Sequence, residues 1–201
     1  MFEQLKKRVP ERIGSENIKQ FAVMIPLIRK EDGFHILFEV RSSKLAHQPG
    51  EICFPGGKQE GGESALETAV RETKEELLLN GENIRVYGAL DYVLTGSNRR
   101  IDACLGELLH YQGQYSESEV ASVFTVPLSF FREQKPERYQ NEMRIHLTED
   151  FPLEKIPNGN DYPWAKGNHE VLFYEYEGYI IWGLTAKLLY YNLPLICSEN
   201  L

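Results

Sequence analysis

The sequence predicts an α+β fold, and three observations carry that expectation. Apolar runs of strand length stand near both ends, as in FAVMIPLI (21–28) and HEVLFYEYEGYIIW (169–182). One stretch between them repeats apolar residues at helical spacing instead. Strands and helices then mix without a regular βαβ repeat, which argues for an α+β fold or a sandwich over a doubly wound sheet.

The chain has 201 residues, 42% hydrophobic and 26% charged, which suits one globular domain over 1–201 with a helical extension over about 1–18. Its net charge is -8 and its sequence pI about 5.2. Such a field does not attract nucleic acid or anionic lipid, so neither is expected as a partner. An anionic substrate would need a bound metal or a local basic patch. Cys53, Cys104 and Cys197 are odd in number and form no CxxC pair. That argues against a disulfide framework or a zinc site and for a reducing compartment. The start, MFEQLKKRVPERIGSENIKQ, is too polar for a signal peptide, and no apolar run approaches the roughly 20 residues of a membrane span. The expectation is a soluble, cytoplasmic protein.

The elements follow in order. Residues 2–9 suit a short amphipathic helix stopped near Pro10. FAVMIPLI (21–28) and HILFEVRS (35–42) flank the polar turn KEDG (30–33) and can pair as a hairpin. EICF (51–54) is a short strand running into PGG, whose glycines permit backbone shapes that other residues avoid. Leu66, Ala69, Val70, Thr73 and Leu77 then predict a helix from Ser64 to about Leu79. Its inward face centres near Leu66, and Asn80-Gly81 is its stop. IRVYGALDYVL (84–94) and IDACLGELL (101–109) read as strands around the loop TGSNRR. SESEVASV (116–123) and VPLSFFRE (126–133) read as short helices, and RYQNEMRIHL (138–147) as a strand. Residues 148–168, with Pro152, Pro157 and Pro163, form a long loop, a candidate lid or contact in a homodimer. HEVLFYEYEGYIIW is a hairpin pattern, and GLTAKLLYYNL (183–193) a closing helix.

Within the central helix, GKQEGGESALETAVRETKEEL (57–77) gathers glutamates at 60, 63, 67, 72, 75 and 76. Exposed like-charged neighbours repel by a few tenths of a kcal/mol per pair. On a helical wheel Glu72, Glu75 and Glu76 share one flank beside the apolar face, so their carboxylates can converge. Either water solvates them, or a hard cation such as magnesium sits among them. The PGG carbonyls offer it a further oxygen.

Gly57, Glu63, Arg71, Glu72, Glu75 and Glu76 stand in the order GX5EX7REXXEE. This resembles the signature of the Nudix hydrolases. The resemblance implies an α/β/α sandwich around a mixed central sheet. It also implies magnesium- or manganese-dependent cleavage of a diphosphate bound to another moiety. Thr73 stands where the pattern has an aliphatic residue, and Leu78 where it has a glycine that ends the helix. The expectation is that Asn80-Gly81 ends it instead, one turn later. Upstream, LFEVRSSKLAHQPGEICFPGG (37–57) resembles the motif LLTxRSxxxRxxxGxxxFPGG of coenzyme A diphosphatases. Leu37, Arg41, Ser42, Gly50, Phe54, Pro55, Gly56 and Gly57 match it, while Phe38, Glu39 and Ala46 depart from it. EVASVFTVPL (119–128) and WGLTAKLL (182–189) are similar to later pieces of that subfamily.

The resemblance assigns roles residue by residue. Glu72 and Glu76 hold the principal metal ion, Glu75 shares or bridges to a second, and the Gly56 carbonyl completes the shell. A box glutamate, Glu75, or the later Glu119 is the general base. Gly57, Glu63 and Arg71 are structural. Arg41, Ser42, Lys44 and Lys58 are candidates for substrate contact, with Arg99 and Arg100 weaker ones. The expected substrate is a small nucleotide of the coenzyme A class, with ADP-ribose, NADH and dinucleoside polyphosphates as rivals. A nucleotide-binding sensor without hydrolysis is a third reading.

Overall fold

A computed structural model describes residues 13, 14 and 17–198. The helix expected over 2–9 and most of the extension to 18 lie outside them. Strand β1 (Lys19–Lys30) turns into β2 (Gly33–Arg41), and the two pair antiparallel from Leu27↔Ile36 to Lys30↔Gly33, as the apolar runs and polar turn imply. Beyond that register the hairpin splits. Strand β3 (Ile52–Cys53) pairs with β2 at Glu39 and Val40, and β4 (Gly56–Lys58) pairs with β1 at Phe21 to Val23. The FPGG segment thus crosses from one strand to the other inside the split.

Helix α1 (Ala65–Glu76) follows, then β5 (Ile84–Ala89), β6 (Val93–Leu94) and β7 (Arg99–Leu108). β7 runs parallel to β1 along nine residue pairs, whereas β5 pairs with β7 antiparallel, so the sheet is mixed. Strand β8 (Val120–Pro127) covers the free side of β2, and α2 (Leu128–Glu133) leaves it directly. This corrects the helix expected over 116–123. Val120, Val123 and Val126 sit three apart, which suits a helix by count. β-branched residues pack better on the pleated sheet, and β2 offers them an unpaired edge. β9 (Glu137–Met143), β10 (Gly167–Tyr176) and β11 (Tyr179–Trp182) form a second sheet, and α3 (Gly183–Ile196) closes the fold. Between β9 and β10 the long loop carries two 3-10 turns, Leu153–Lys155 and Gly159–Asp161.

Alternation along the strands sorts two cores. Ala22, Met24 and Leu37 pack under α1 with Ala69 and Leu77. Ile25, Leu27, Ile36 and Phe38 face the opposite way, toward α2, α3 and the second sheet. The mixed sheet therefore lies between helical layers, in agreement with the α+β sandwich expected. Phe54 is buried and stacks on Phe38 at 5.0 Å, a core contact.

Candidate functional site

Helix α1 starts where its sequence sets it. Ser64 accepts from the Glu67 amide, and Glu67 accepts back from the Ser64 amide, closing a capping box. The buried face differs from expectation. Leu66 is 39% exposed, while Thr68, Ala69, Thr73, Glu76 and Leu77 are buried. Thr73 tolerates its apolar setting because its hydroxyl donates to the Ala69 carbonyl at 2.7 Å. The helix ends at Glu76, not near Leu79. Leu78 itself takes a left-handed φ of 50°, and the Leu79 amide returns to the Lys74 carbonyl at 3.0 Å. That is a glycine-type helix end made by a leucine. Asn80 begins the next 3-10 turn instead.

Because the register centres on Ala69 and Thr73, Glu76 points into the core edge and not along an exposed flank. Its Oε2 accepts from the Gly56 amide at 2.8 Å. Its backbone carbonyl accepts from the Ser116 amide at 2.8 Å. Burial raises the Glu76 carboxyl well above the ordinary range; Glu72 and Glu119 push it further, against the Gly56 bond and Arg41. Burial also raises Glu72, with the Arg71 guanidinium opposing. Gly57 is a glycine for steric reasons: a Cβ there would overlap the Glu72 carboxylate.

Arg71 organises the outer carboxylates. It donates to both oxygens of Glu63 at 2.8 and 3.1 Å, to Glu72 at 2.9 Å, to Glu75 at 3.2 Å and to the Lys58 carbonyl at 3.3 Å. Its bonds, joined by one from Thr68, hold the Glu63 carboxyl down at about 2. Of the three glutamates expected to converge, Glu76 is held inward by Gly56 and the Glu72 carboxylate lies against Gly57, while Glu75 is exposed and held by Arg71. Among the described residues no three His, Cys, Asp or Glu side chains stand as a ready metal-ligand set. The chemistry of the site nonetheless fits a hard cation. Its donors are carboxylate oxygens, and burial first, with the charge of neighbouring glutamates after it, pushes Glu72 and Glu76 toward protonation. Beside them the Oε1 of Glu39 is buried with no hydrogen-bond partner.

The upstream candidates divide. Arg41 ends β2, its Nε donating to the His47 carbonyl at 3.4 Å, and its backbone pairs with Gly50 and Glu51 to close the loop 42–50. Ser42 is buried, its amide donating to the Glu119 carbonyl and its hydroxyl to the Glu117 carbonyl. It anchors that loop to the turn before β8. Lys44 and Lys58 are exposed, as is Glu119 on the turn. Arg100 is engaged by Asp102 and stacks over Tyr92, while Arg99 lies over Phe21. Glu39 was not among the site residues expected from sequence. The signal for it was a charged residue on the inward phase of an apolar strand, between Leu37 and Arg41. Two hollows of about 620 and 500 Å3 lie against the second sheet, and none of Glu39, Glu72, Glu75, Glu76 or Glu119 lines them.

Comparison with known proteins adds to this geometry. The NUDIX domain family matches residues 18–138. The peroxisomal coenzyme A diphosphatase NUDT7 of Mus musculus is 29% identical over 203 aligned positions, covering 97% of this chain and 78% of that protein. An uncharacterized Nudix hydrolase, NudL, of Enterobacter sp. (strain 638) is 31% identical over 177 positions, covering 86% of this chain and 80% of that one. Among solved structures, a C. elegans Ap4A hydrolase binary complex superposes with a TM-score of 0.47 at 19% identity, over 54% of this chain and 80% of the other.

Proposed function

The chain belongs to the Nudix family of hydrolases, which act on nucleoside diphosphate derivatives, and we propose that its substrate is coenzyme A or one of its derivatives. Water would attack one phosphorus of the diphosphate, and the products would be adenosine 3',5'-bisphosphate and 4'-phosphopantetheine. The observation that carries this reading is the position of Arg41. It stands at the base of the 42–50 loop, and its charge acts directly on the Glu39 and Glu76 carboxyls. A phosphate-binding cation thus adjoins cation-binding carboxylates. The name of the mouse relative, matched along nearly the whole chain, points to the same substrate.

Members of the family require divalent cations, and magnesium or manganese suits the oxygen donors here. Glu72 and Glu76 would hold it, with Glu75 shared with a second ion and the Gly56 carbonyl as a further donor. Such an ion neutralises diphosphate charge and lowers the pKa of bound water. The chain's own groups do the rest. Glu119, exposed on the turn before β8, would accept a proton from water, and Glu75 is the alternative. Arg41, Lys44 and Lys58 attract the phosphates, while Ser42 holds the loop that presents them. Gly57, Glu63 and Arg71 keep the frame in which Glu72 and Glu76 sit.

A single domain over 1–201 is part of this reading, because Leu172, Ile181, Leu189 and Ile196 share one core with Ile25 and Phe38. So are a homodimer and a cytoplasmic location. The three cysteines are free, and no described helix is long and apolar enough to cross a membrane.

The test is product analysis by mass spectrometry. Purified protein with magnesium or manganese meets coenzyme A, acetyl-coenzyme A, ADP-ribose, NADH and diadenosine polyphosphates. The expected result is 4'-phosphopantetheine from coenzyme A. Cleavage of another substrate alone would discard the coenzyme A assignment and keep the hydrolase. Binding without cleavage would favour a sensor.

A further inference from the structure

Glu39 sits on β2 at the point where the β1–β2 hairpin splits, paired with Cys53 on one side and Val123 on the other. Alternation places it with Leu37 and Arg41 on the face that carries α1, and Leu37 is part of the core beneath that helix. Its side chain is 1% exposed, and its Oε1 meets no hydrogen-bond donor. No ion pair reaches it among the described residues. An ionised carboxylate is costly to bury unless a counter-charge or donors compensate it. Of the charged groups that act on it, Glu76 and Glu119 are negative and only Arg41 is positive. Glu107, also buried, shows the contrast. It is met by Arg85 at 3.0 Å, by Arg29 at 3.6 Å and by the Tyr87 hydroxyl at 2.6 Å.

We propose that Glu39 is a further ligand of the divalent-cation site, its unpaired Oε1 joining the carboxylates of Glu72 and Glu76. The inference rests on the metal-dependent reading above. A hard cation needs several oxygens and supplies the positive charge that this corner lacks. Glu39 differs from the helix glutamates in its support. It stands on a strand hydrogen-bonded on both sides, so its oxygen is held independently of α1. A cation bound by Glu39, Glu72 and Glu76 would tie the helix to the sheet across the split.

The test measures metal without substrate. Mn2+ is titrated into full-length wild type, Glu39→Gln, Glu39→Thr and Glu76→Gln, and free Mn2+ is followed by electron paramagnetic resonance. Circular dichroism checks the fold of each. Both Glu39 variants should weaken Mn2+ binding about tenfold or more. Their thermal midpoints without metal should equal or exceed that of wild type, since an uncompensated carboxyl has gone. The threonine variant matches the residue of the upstream motif and guards against a misfolded glutamine. Wild-type affinity in both, with affinity lost in Glu76→Gln, would overturn the role of Glu39 alone and leave it holding a proton. Wild-type affinity in Glu76→Gln as well would overturn the metal reading itself.

Discussion

The Gly56 amide donates to Glu76 Oε2 at 2.8 Å, and this bond spans the split in the β1–β2 hairpin to reach the core face of α1. It holds one oxygen of a carboxylate whose charged neighbours are Glu72, Glu119 and, opposing them, Arg41. Burial and the neighbouring Glu72 and Glu119 raise the Glu76 carboxyl to about 8. The metal-free fold therefore binds a proton that the unfolded chain releases at the ordinary 4.5. Stability from that proton is complete below 4.5 and is lost as pH rises through about 8. Glu63, depressed to about 2, acts in the opposite sense but only at much lower pH. The metal-free Tm should fall across the interval from 4.5 to about 8. Added magnesium should raise Tm more at the upper end than at the lower, because the cation takes the place of the proton. Differential scanning calorimetry with and without magnesium measures both. A magnesium effect that is the same throughout would remove Glu76 from the site.

Leu78 occupies a left-handed φ of 50° with its side chain 58% exposed. A non-glycine residue pays about 1–2 kcal/mol there, while glycine costs about 0.5–1 kcal/mol in chain entropy. Leu78→Gly should therefore be neutral to stabilising by up to about 1 kcal/mol, or a Tm rise of about 2 °C. A clear fall in Tm would show that the exposed leucine packs more than its accessibility implies.

Arg71 meets Glu63 with two nitrogens and reaches Glu72 and Glu75 with a third bond set. A lysine keeps the charge but cannot span these groups. Arg71→Lys should leave the fold intact, lower kcat about tenfold or more, and let the Glu63 carboxyl rise from about 2 toward its ordinary value. Carbon-detected NMR titration follows Glu63 directly. An unmoved Glu63 would mean that Thr68 and the turn, not Arg71, hold it.

Arg41→Ala should raise KM for coenzyme A more than for ADP-ribose. Equal changes for both would make Arg41 a general frame residue, serving the His47 carbonyl and the loop closure.

Much of this site is legible along the chain because its spacing is local. Arg71 and Glu75 lie one helical turn apart, so the sequence interval alone brings them together. The capping pair Ser64 and Glu67 works the same way. What fails is decided by partners distant in sequence. Val120–Pro127 is a strand because β2 has an open edge, which no local count reveals. Leu66 is exposed and Glu76 buried because the sheet, not the apolar count, sets which face of α1 turns inward.

The sequence by itself determined that a loop and helix carry the carboxylates, that Arg71 accompanies them, and that the chain is a Nudix hydrolase. These follow from residue types at fixed short intervals, where backbone geometry leaves little choice. Only the tertiary structure decided that Glu76 is inward and Glu75 outward, that Ser42 anchors a loop, and that Glu39 faces the same corner from a strand. Those outcomes depend on charge, burial and hydrogen bonding summed over elements far apart in the chain. Desolvation acts through the assembled surroundings, so it becomes visible only once β2, the FPGG segment and α1 are together.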